Sequence, residues 1–173
     1  GEIYVFTPTG DLIQLPIGST PVDFAFQVHT QVGMHCLGAK ANHRLVTLNE
    51  ELKSGDVVEI ITGKKQTPSI NWQKFVVTSK ARNAINKFLK NESVNESIKL
   101  GREILFKTLR RLKIYNLRQE YLDGYSNFGF NNQDSYLSAI GHGNLAFREI
   151  HNKINPNSSD KDTPAYKKIG HAI

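Results

Sequence analysis

The hydrophobic pattern changes its rhythm once along this chain, near residue 63. Before that point, short apolar runs are cut by turn residues. Residues 3–7 and 12–15 are rich in β-branched and aromatic side chains and flank Pro8-Thr9-Gly10-Asp11, a turn composition, so they predict a hairpin. Next comes Gly18-Ser19-Thr20-Pro21-Val22-Asp23. Thr20 can cap a helix, Pro21 suits its first position, and Asp23 sets negative charge beside the exposed amides. A helix is predicted over 21–31, stopping near Gly33, with Val22, Ala25 and Phe26 on one face. Residues 37–41, 44–48 and 57–62 read as further strands. The order β-β-α-β-β-β predicts an α+β fold of the ubiquitin-like β-grasp type, because one helix laid across a mixed sheet buries the apolar side of each.

Residues 63–68 read as a linker, and beyond them apolar residues recur at three and four. Over 72–90 Trp72, Phe75, Val76, Ala81, Ile85, Phe88 and Leu89 alternate with Lys74, Lys80, Arg82, Lys87 and Lys90, the pattern of an amphipathic basic helix with a break near Thr78-Ser79. A second helix is predicted over 97–113, with Ile98, Ile104, Leu105, Leu109 and Leu112 inward and Arg102, Lys107, Arg110 and Arg111 outward. Shorter helices are expected at 134–140 and 145–154, separated by Gly141-His142-Gly143. The expected organisation is a β-grasp domain at 1–63, a basic all-α helical domain at 64–154, and a polar, disordered tail at 155–173.

Charge sharpens this division. The net +6 hides an acidic first part, with three basic and seven acidic residues up to Gly63, and a strongly basic remainder with nineteen against nine. Attraction to nucleic acid must come mainly from the second part, while the first must recognise its target by shape and local contacts. No apolar run approaches the roughly 18 residues of a membrane span, and the N-terminus lacks a signal-peptide pattern, so a soluble cytoplasmic protein without a membrane partner is expected. A lone cysteine, Cys36, gives no internal disulfide and agrees with a reducing compartment.

The residues also carry a resemblance. Val5-Phe6-Thr7-Pro8-x-Gly10-Asp11, Leu15-Pro16-x-Gly18-Ser19-Thr20-Pro21-Val22-Asp23-Phe24-Ala25, His29-Thr30, Gly38-Ala39-Lys40 and Gly55-Asp56-x-Val58-Glu59-Ile60 resemble the TGS domain of long RelA/SpoT stringent-response proteins. Trp72, Thr78-Ser79-Lys80-Ala81-Arg82, Gly101-Arg102-Glu103 and Ala139-Ile140-Gly141-x-Gly143 resemble that family's helical domain, so the likeness covers residues 3–154. The resemblance implies a regulatory fragment of a (p)ppGpp synthetase/hydrolase whose catalytic domains lie elsewhere in the parent chain. It implies that the TGS domain surrounds the 3′ CCA end of deacylated tRNA on the ribosome, and that the helical domain lies beside tRNA and ribosomal RNA. It also offers a second partner, acyl carrier protein, and a further role in restraining the catalytic domains.

By the same resemblance His29 occupies a tRNA-contacting position. Late in the predicted helix, the negative helix end would favour an imidazolium that stacks on or hydrogen-bonds an unpaired base; the plain alternative is a histidine that caps carbonyls. A pocket closed around the free ribose hydroxyls would exclude charged tRNA by clash. Lys40 can pair with phosphate or simply stand in solvent. The family usually has His-Arg before its cysteine where this chain has Met34-His35, so the resemblance implies that part of the contact is lost and that His35 is only a partial, pH-dependent substitute for the arginine. Lys74, Lys80, Arg82, Lys87, Arg102, Arg110 and Arg111 form the expected RNA-facing basic surface, against the alternative of solvated helix faces. Cys36, His35 and His43 lack regular metal-ligand spacing, and Cys36 reads as packed. Trp72 reads as core with RNA stacking as the alternative, and His142 as a turn residue. There is no phosphate-gripping glycine loop and no nucleophile with its base, so no catalytic residue, metal or cofactor is assigned to this segment.

Overall fold

The computed structural model describes residues 1–157. The expected disordered tail therefore lies, from residue 158 onward, outside the described residues. The chain divides into two compact units, Gly1–Asn91 and a second from Glu92 onward.

In the first unit β1 (Glu2–Phe6) and β2 (Leu12–Pro16) form the predicted antiparallel hairpin, with Phe6 opposite Leu12. β3 (Cys36–Ala41) lies between β4 (Arg44–Val46) and β5 (Val58–Thr62), antiparallel to both. Asn42 and His43, both with positive φ (54° and 69°), turn β3 into β4, the backbone of a two-residue hairpin whose twist matches the strands. The two sheets meet where Phe6 bridges Val57 in parallel, with the Phe6 amide donating to Asp56 O at 2.8 Å. This parallel junction, with a helical layer on one face, is the β-grasp arrangement. Alternation along β3 puts Ala39 and Ala41 inward and Lys40 outward.

The helical layer differs from the single helix expected over 21–31. α1 (Pro21–Val28) stops at His29, whose extended backbone (φ −166°, ψ 142°) starts the one-turn α2 (Thr30–Met34). Gly33 explains the turn in part: a Cβ there would fall 2.3 Å from the Phe26 ring, so the chain passes too close to that buried side chain for anything larger. The N-terminus of α1 follows the sequence reading, with Thr20 and Asp23 forming a reciprocal capping box.

The compact unit extends past the sheet boundary at 63. A 3-10 turn (Ile70–Lys74) and the start of α3 (Ser79–Arg111) bring Trp72, Val76, Ala81 and Ile85 against Val22, Ala25, Phe26 and Cys36 in one buried cluster. Trp72 is 4% exposed and belongs to this core, which removes it as a stacking platform for RNA. Asp23, fully buried, does more than cap its own helix. Its carboxylate accepts from the Val77 amide, the Thr78 amide at 2.9 Å and the Thr78 hydroxyl at 2.7 Å. Thr78 Oγ1 in turn accepts from the Ala81 amide at 3.2 Å and so caps α3.

The helices expected at 72–90 and 97–113 are replaced by the 3-10 turn followed by one 33-residue helix. Residues 91–96 are exposed on every side, so the apolar rhythm lapses there, yet they contain no Gly or Pro to break the backbone ladder. In the second unit Leu105 and Leu109 of α3 join the core with α4 (Arg118–Leu122), α5 (Gln133–Gly141) and α6 (Phe147–Ile154). α4 and the 3-10 turn behind it (Asp123–Phe128) are absent from the sequence expectation, being too short to show a period. They matter to packing: Tyr121 is fully buried, stacks on Phe147 with centroids 5.8 Å apart, and hydrogen-bonds His151 Nδ1 at 2.6 Å. Tyr136 donates to the Tyr121 carbonyl at 2.6 Å, and desolvation by burial, followed by the nearby Tyr121, raises its pKa.

Candidate nucleic-acid interface

His29 and His35 bracket the same helical turn. At its start, His29 Nδ1 accepts the Gln31 amide proton at 3.0 Å. A nitrogen that accepts carries no proton, so the ring is held as the Nε2–H tautomer. The ring therefore stands exposed at a helix start and not at a helix C-terminus, with Nδ1 engaged by the Gln31 amide and its face and Nε2 edge outward. At the other end the His35 amide donates to the Gln31 and Gly33 carbonyls, and the His35 ring donates from Nδ1 to Gln66 O at 2.9 Å.

His35 also lines an open cleft of about 370 Å³ with Gln31, Val32, Thr62, Gly63 and Lys64. Neither His29 nor Lys40 lines it. Lys40 lies on the sheet face away from the buried side, opposite Leu45 of β4 and Glu59 of β5. Its cross-strand partner Glu59 offsets part of its charge. The structure thus joins His29 and His35 through Gln31 and leaves Lys40 apart. Gln31, Thr62 and Lys64 escaped the sequence reading, because only folding places the end of β5 beside α2.

The seven expected basic residues are all exposed. They are not equivalent. Arg82 donates from its guanidinium to the Val76 carbonyl at 3.0 Å, so it also ties α3 to the segment before it. Lys74 ends the 3-10 turn, while Lys80 and Lys87 lie in the first unit's part of α3. In the second unit Arg102 and Arg110 lie along one cleft with Lys99 and Lys107. Lys99 stands three residues before Arg102 and Lys107 three before Arg110, the spacing of helix neighbours, which is visible in the sequence once the helix is known to be unbroken.

Cys36 has no access to solvent, and burial pushes its thiol up from 9.0 to about 11. Its nearest polar contact is the Gly38 carbonyl at 4.0 Å, while His43 sits in the β3–β4 turn. Between the two pH values an unfolded chain releases the thiol proton that the folded chain retains. Stability should therefore fall as pH rises from about 9 to about 11, by at most about 3 kcal/mol. Cys36→Ala is expected to flatten that part of the pH profile in urea melts, and thiol reagents at neutral pH should label the native protein only as fast as it opens. Rapid stoichiometric labelling without denaturant would contradict this burial. His142 is exposed and ends α5, its amide donating to the Ser138 and Ile140 carbonyls, in keeping with a turn residue.

Among the described residues, no helix is long and apolar enough to cross a membrane. A family model of the TGS domain matches residues 3–62, and one of the RelA/SpoT AH domain matches residues 88–155. A guanosine-3′,5′-bis(diphosphate) 3′-pyrophosphohydrolase of Aquifex aeolicus is 55% identical over 64% of this chain and 16% of its own length. A GTP pyrophosphokinase of Myxococcus xanthus is 39% identical over 90% of this chain and 21% of its own. A GTP pyrophosphokinase of Escherichia coli is 36% identical over 97% of this chain and 24% of its own. The chain thus spans between a sixth and a quarter of the length of these relatives. Carrying both domains in order, and matched across nearly its whole length, the chain belongs to the RelA/SpoT family, as a segment that comprises its TGS and AH domains.

Proposed function

We propose that this segment is the regulatory region of a longer cytoplasmic enzyme that makes or degrades (p)ppGpp, and that its TGS domain reads the free 3′ CCA end of deacylated tRNA on the ribosome. Its own part is recognition; catalysis belongs to other domains of the longer protein. The observation that carries the reading is His29. It is exposed, its ring is fixed by the Gln31 amide, and its remaining donor is Nε2–H. An unpaired base offers such a ring a face to stack on and an acceptor to bond. A ring fixed in place discriminates by fit, which suits a choice between a free ribose and one bearing an aminoacyl group. The cleft at His35 is open and does not include His29, so the ribosome would have to supply the walls of a pocket around the tRNA end. The basic side chains Lys74, Lys80, Arg82, Lys87, Arg102, Arg110 and Arg111 would supply the salt-sensitive part of the affinity, with Lys40 a lesser contributor beside Glu59.

The test compares the full-length protein with its His29→Ala variant on ribosomes carrying deacylated or aminoacylated A-site tRNA. Wild type should prefer the deacylated complex and the variant should lose that preference, at roughly a tenfold cost in affinity for one lost stacking contact. His35→Arg should tighten binding to the deacylated complex, because a guanidinium bonds phosphate in two places where an imidazole cannot. Equal affinity in all four wild-type and His29→Ala combinations would remove the domain as the sensor and favour a protein partner, such as acyl carrier protein or the catalytic domains.

A further inference from the structure

In the first unit β2 lies at one edge of its sheet, and the bonds that close the β1–β2 hairpin fix which of its groups face outward. The Thr7 amide donates to Asp11 O at 2.9 Å and the Ile17 amide to Gly1 O at 3.0 Å, so Ile13 and Leu15, in the same phase, turn their backbone toward β1. Leu12 and Gln14 turn theirs away. Among the described residues no strand pairs with that outer edge. The side chains mark it too: Leu12 is 56% exposed, Phe6 stands directly opposite it on the outer face, and Tyr4, 46% exposed, stands opposite Gln14. Free edges are ordinarily blunted by shortness or by lysine and arginine. The other edge strand, β4, follows that rule, with three residues and an exposed Arg44 at its start. β2 does not. Residues 1–39 contain no lysine or arginine, and the exposed carboxylates of Asp11, before Leu12, and Glu2, opposite Pro16, stand at the two ends of its edge, about 17 Å apart along the strand. Only Pro16 guards it, having no amide and giving its carbonyl to the Ser19 amide at 3.2 Å.

We infer that the outer edge of β2 docks an extended segment of another protein, which adds to the sheet by pairing its backbone with Leu12 and Gln14. The segment lays apolar side chains at alternate positions beside Leu12 and Phe6, and carries a lysine or arginine at each end for Asp11 and Glu2. Charge chooses this occupant. Nucleic acid would bring its phosphates to an edge that has carboxylates and no cation. A second copy paired about Gln14 would set Pro16 against Leu12 and turn the carboxylates of the two copies toward one another. The site is separate from the tRNA reading above and does not depend on it.

The experiment titrates the 173-residue chain with the capped peptide Lys-Ile-Thr-Phe-Thr-Lys and with its counterpart Glu-Ile-Thr-Phe-Thr-Glu, and follows amide hydrogen exchange residue by residue. In the free chain the Leu12 and Gln14 amides should exchange fast and those of Ile13 and Leu15 slowly. The lysine peptide should slow Leu12 and Gln14, and should bind at least about fivefold more tightly than the glutamate peptide, the worth of two exposed ion pairs. Gln14→Pro removes an outward amide and takes no bond from β1, so it should weaken binding about tenfold. Glu2→Gln with Asp11→Asn should erase the preference for lysine. All three side chains are exposed, and an unchanged urea midpoint by Trp72 fluorescence is the control for folding. No binding of the lysine peptide up to about 1 mM would overturn the site, as would undiminished binding to Gln14→Pro or an equal hold on both peptides. Slow exchange at Leu12 and Gln14 in the free chain would also overturn it, assigning the edge to a second copy where the protection fades on dilution and to the chain's own residues where it does not. His29→Ala should leave peptide binding unchanged, which separates this site from the tRNA reading.

Discussion

Replacing Asp23 with alanine should cost the first unit about 3–5 kcal/mol, enough to remove most of the stability of a typical small domain. The carboxylate is completely buried and accepts from the Thr20 amide and hydroxyl as well as from Val77 and Thr78. Alanine leaves the buried Thr20 and Thr78 donors, and the part-buried Val77 amide, without this acceptor, and each unsatisfied buried group costs about 1–3 kcal/mol, less whatever water can enter and repair. Asp23→Asn should be milder, about 2 kcal/mol: its carbonyl can still accept from Thr78, but its amide hydrogens face the donors of Thr20. Thr78→Val removes only the hydroxyl, with its bonds to Asp23 and the Ala81 amide, and should cost about 1–2 kcal/mol. Trp72, the chain's single tryptophan, is buried in the same unit and reports its unfolding by fluorescence in urea. An Asp23→Ala midpoint within about 1 kcal/mol of wild type would show that the carboxylate is not the lock between α1 and the start of α3.

Gly101→Ala and Gly141→Ala should each destabilise the second unit by about 3 kcal/mol or more, the upper end for overpacking, since the obstacle is backbone and cannot rotate away. A Cβ on Gly101 would lie 1.8 Å from the Leu137 carbonyl oxygen, and one on Gly141 1.9 Å from that of Ser97. α3 and α5 therefore touch backbone to backbone, beside a hydrogen bond of 2.7 Å between Ser97 and Ser138. The sign of the effect is diagnostic. Alanine in a free helix is better than glycine by about 1 kcal/mol, so without this contact Gly101→Ala would stabilise the protein. Far-UV circular dichroism melts of the two variants decide it, and an increased midpoint for Gly101→Ala would sink the close-packed arrangement.

Both predictions rest on features that the sequence displayed without disclosing their purpose. Asp23 is legible as a negative charge in the first turn of a helix that Thr20 caps, but its reciprocal bond back to the Thr20 amide is not. Its bonds to Val77 and Thr78 span more than fifty residues, and no local pattern encodes them. Gly101 falls inside the helix predicted over 97–113, and nothing in the sequence shows that the Leu137 backbone lies against it. The candidate site divides in the same way. His29, His35 and the basic residues were identifiable as residues, but His29 was placed at the end of one helix, whereas the chain breaks there and uses it to begin the next.

What the sequence by itself determined is whatever depends on neighbours within a turn or two: the β1–β2 hairpin, the start of α1, the succession of strands and helix along the chain, the helical second half, and the contrast between an acidic β-grasp and a basic remainder. Periodicity and capping are local physics, and they survive without knowledge of the fold. Only the tertiary structure decided that 3-10 and helical residues after position 63 complete the core of the first unit, that α3 runs unbroken through six exposed residues, and that Arg118 comes to rest on Phe106. Those outcomes depend on which buried groups find partners across long loops, a condition set by the whole chain at once and by no single stretch of it.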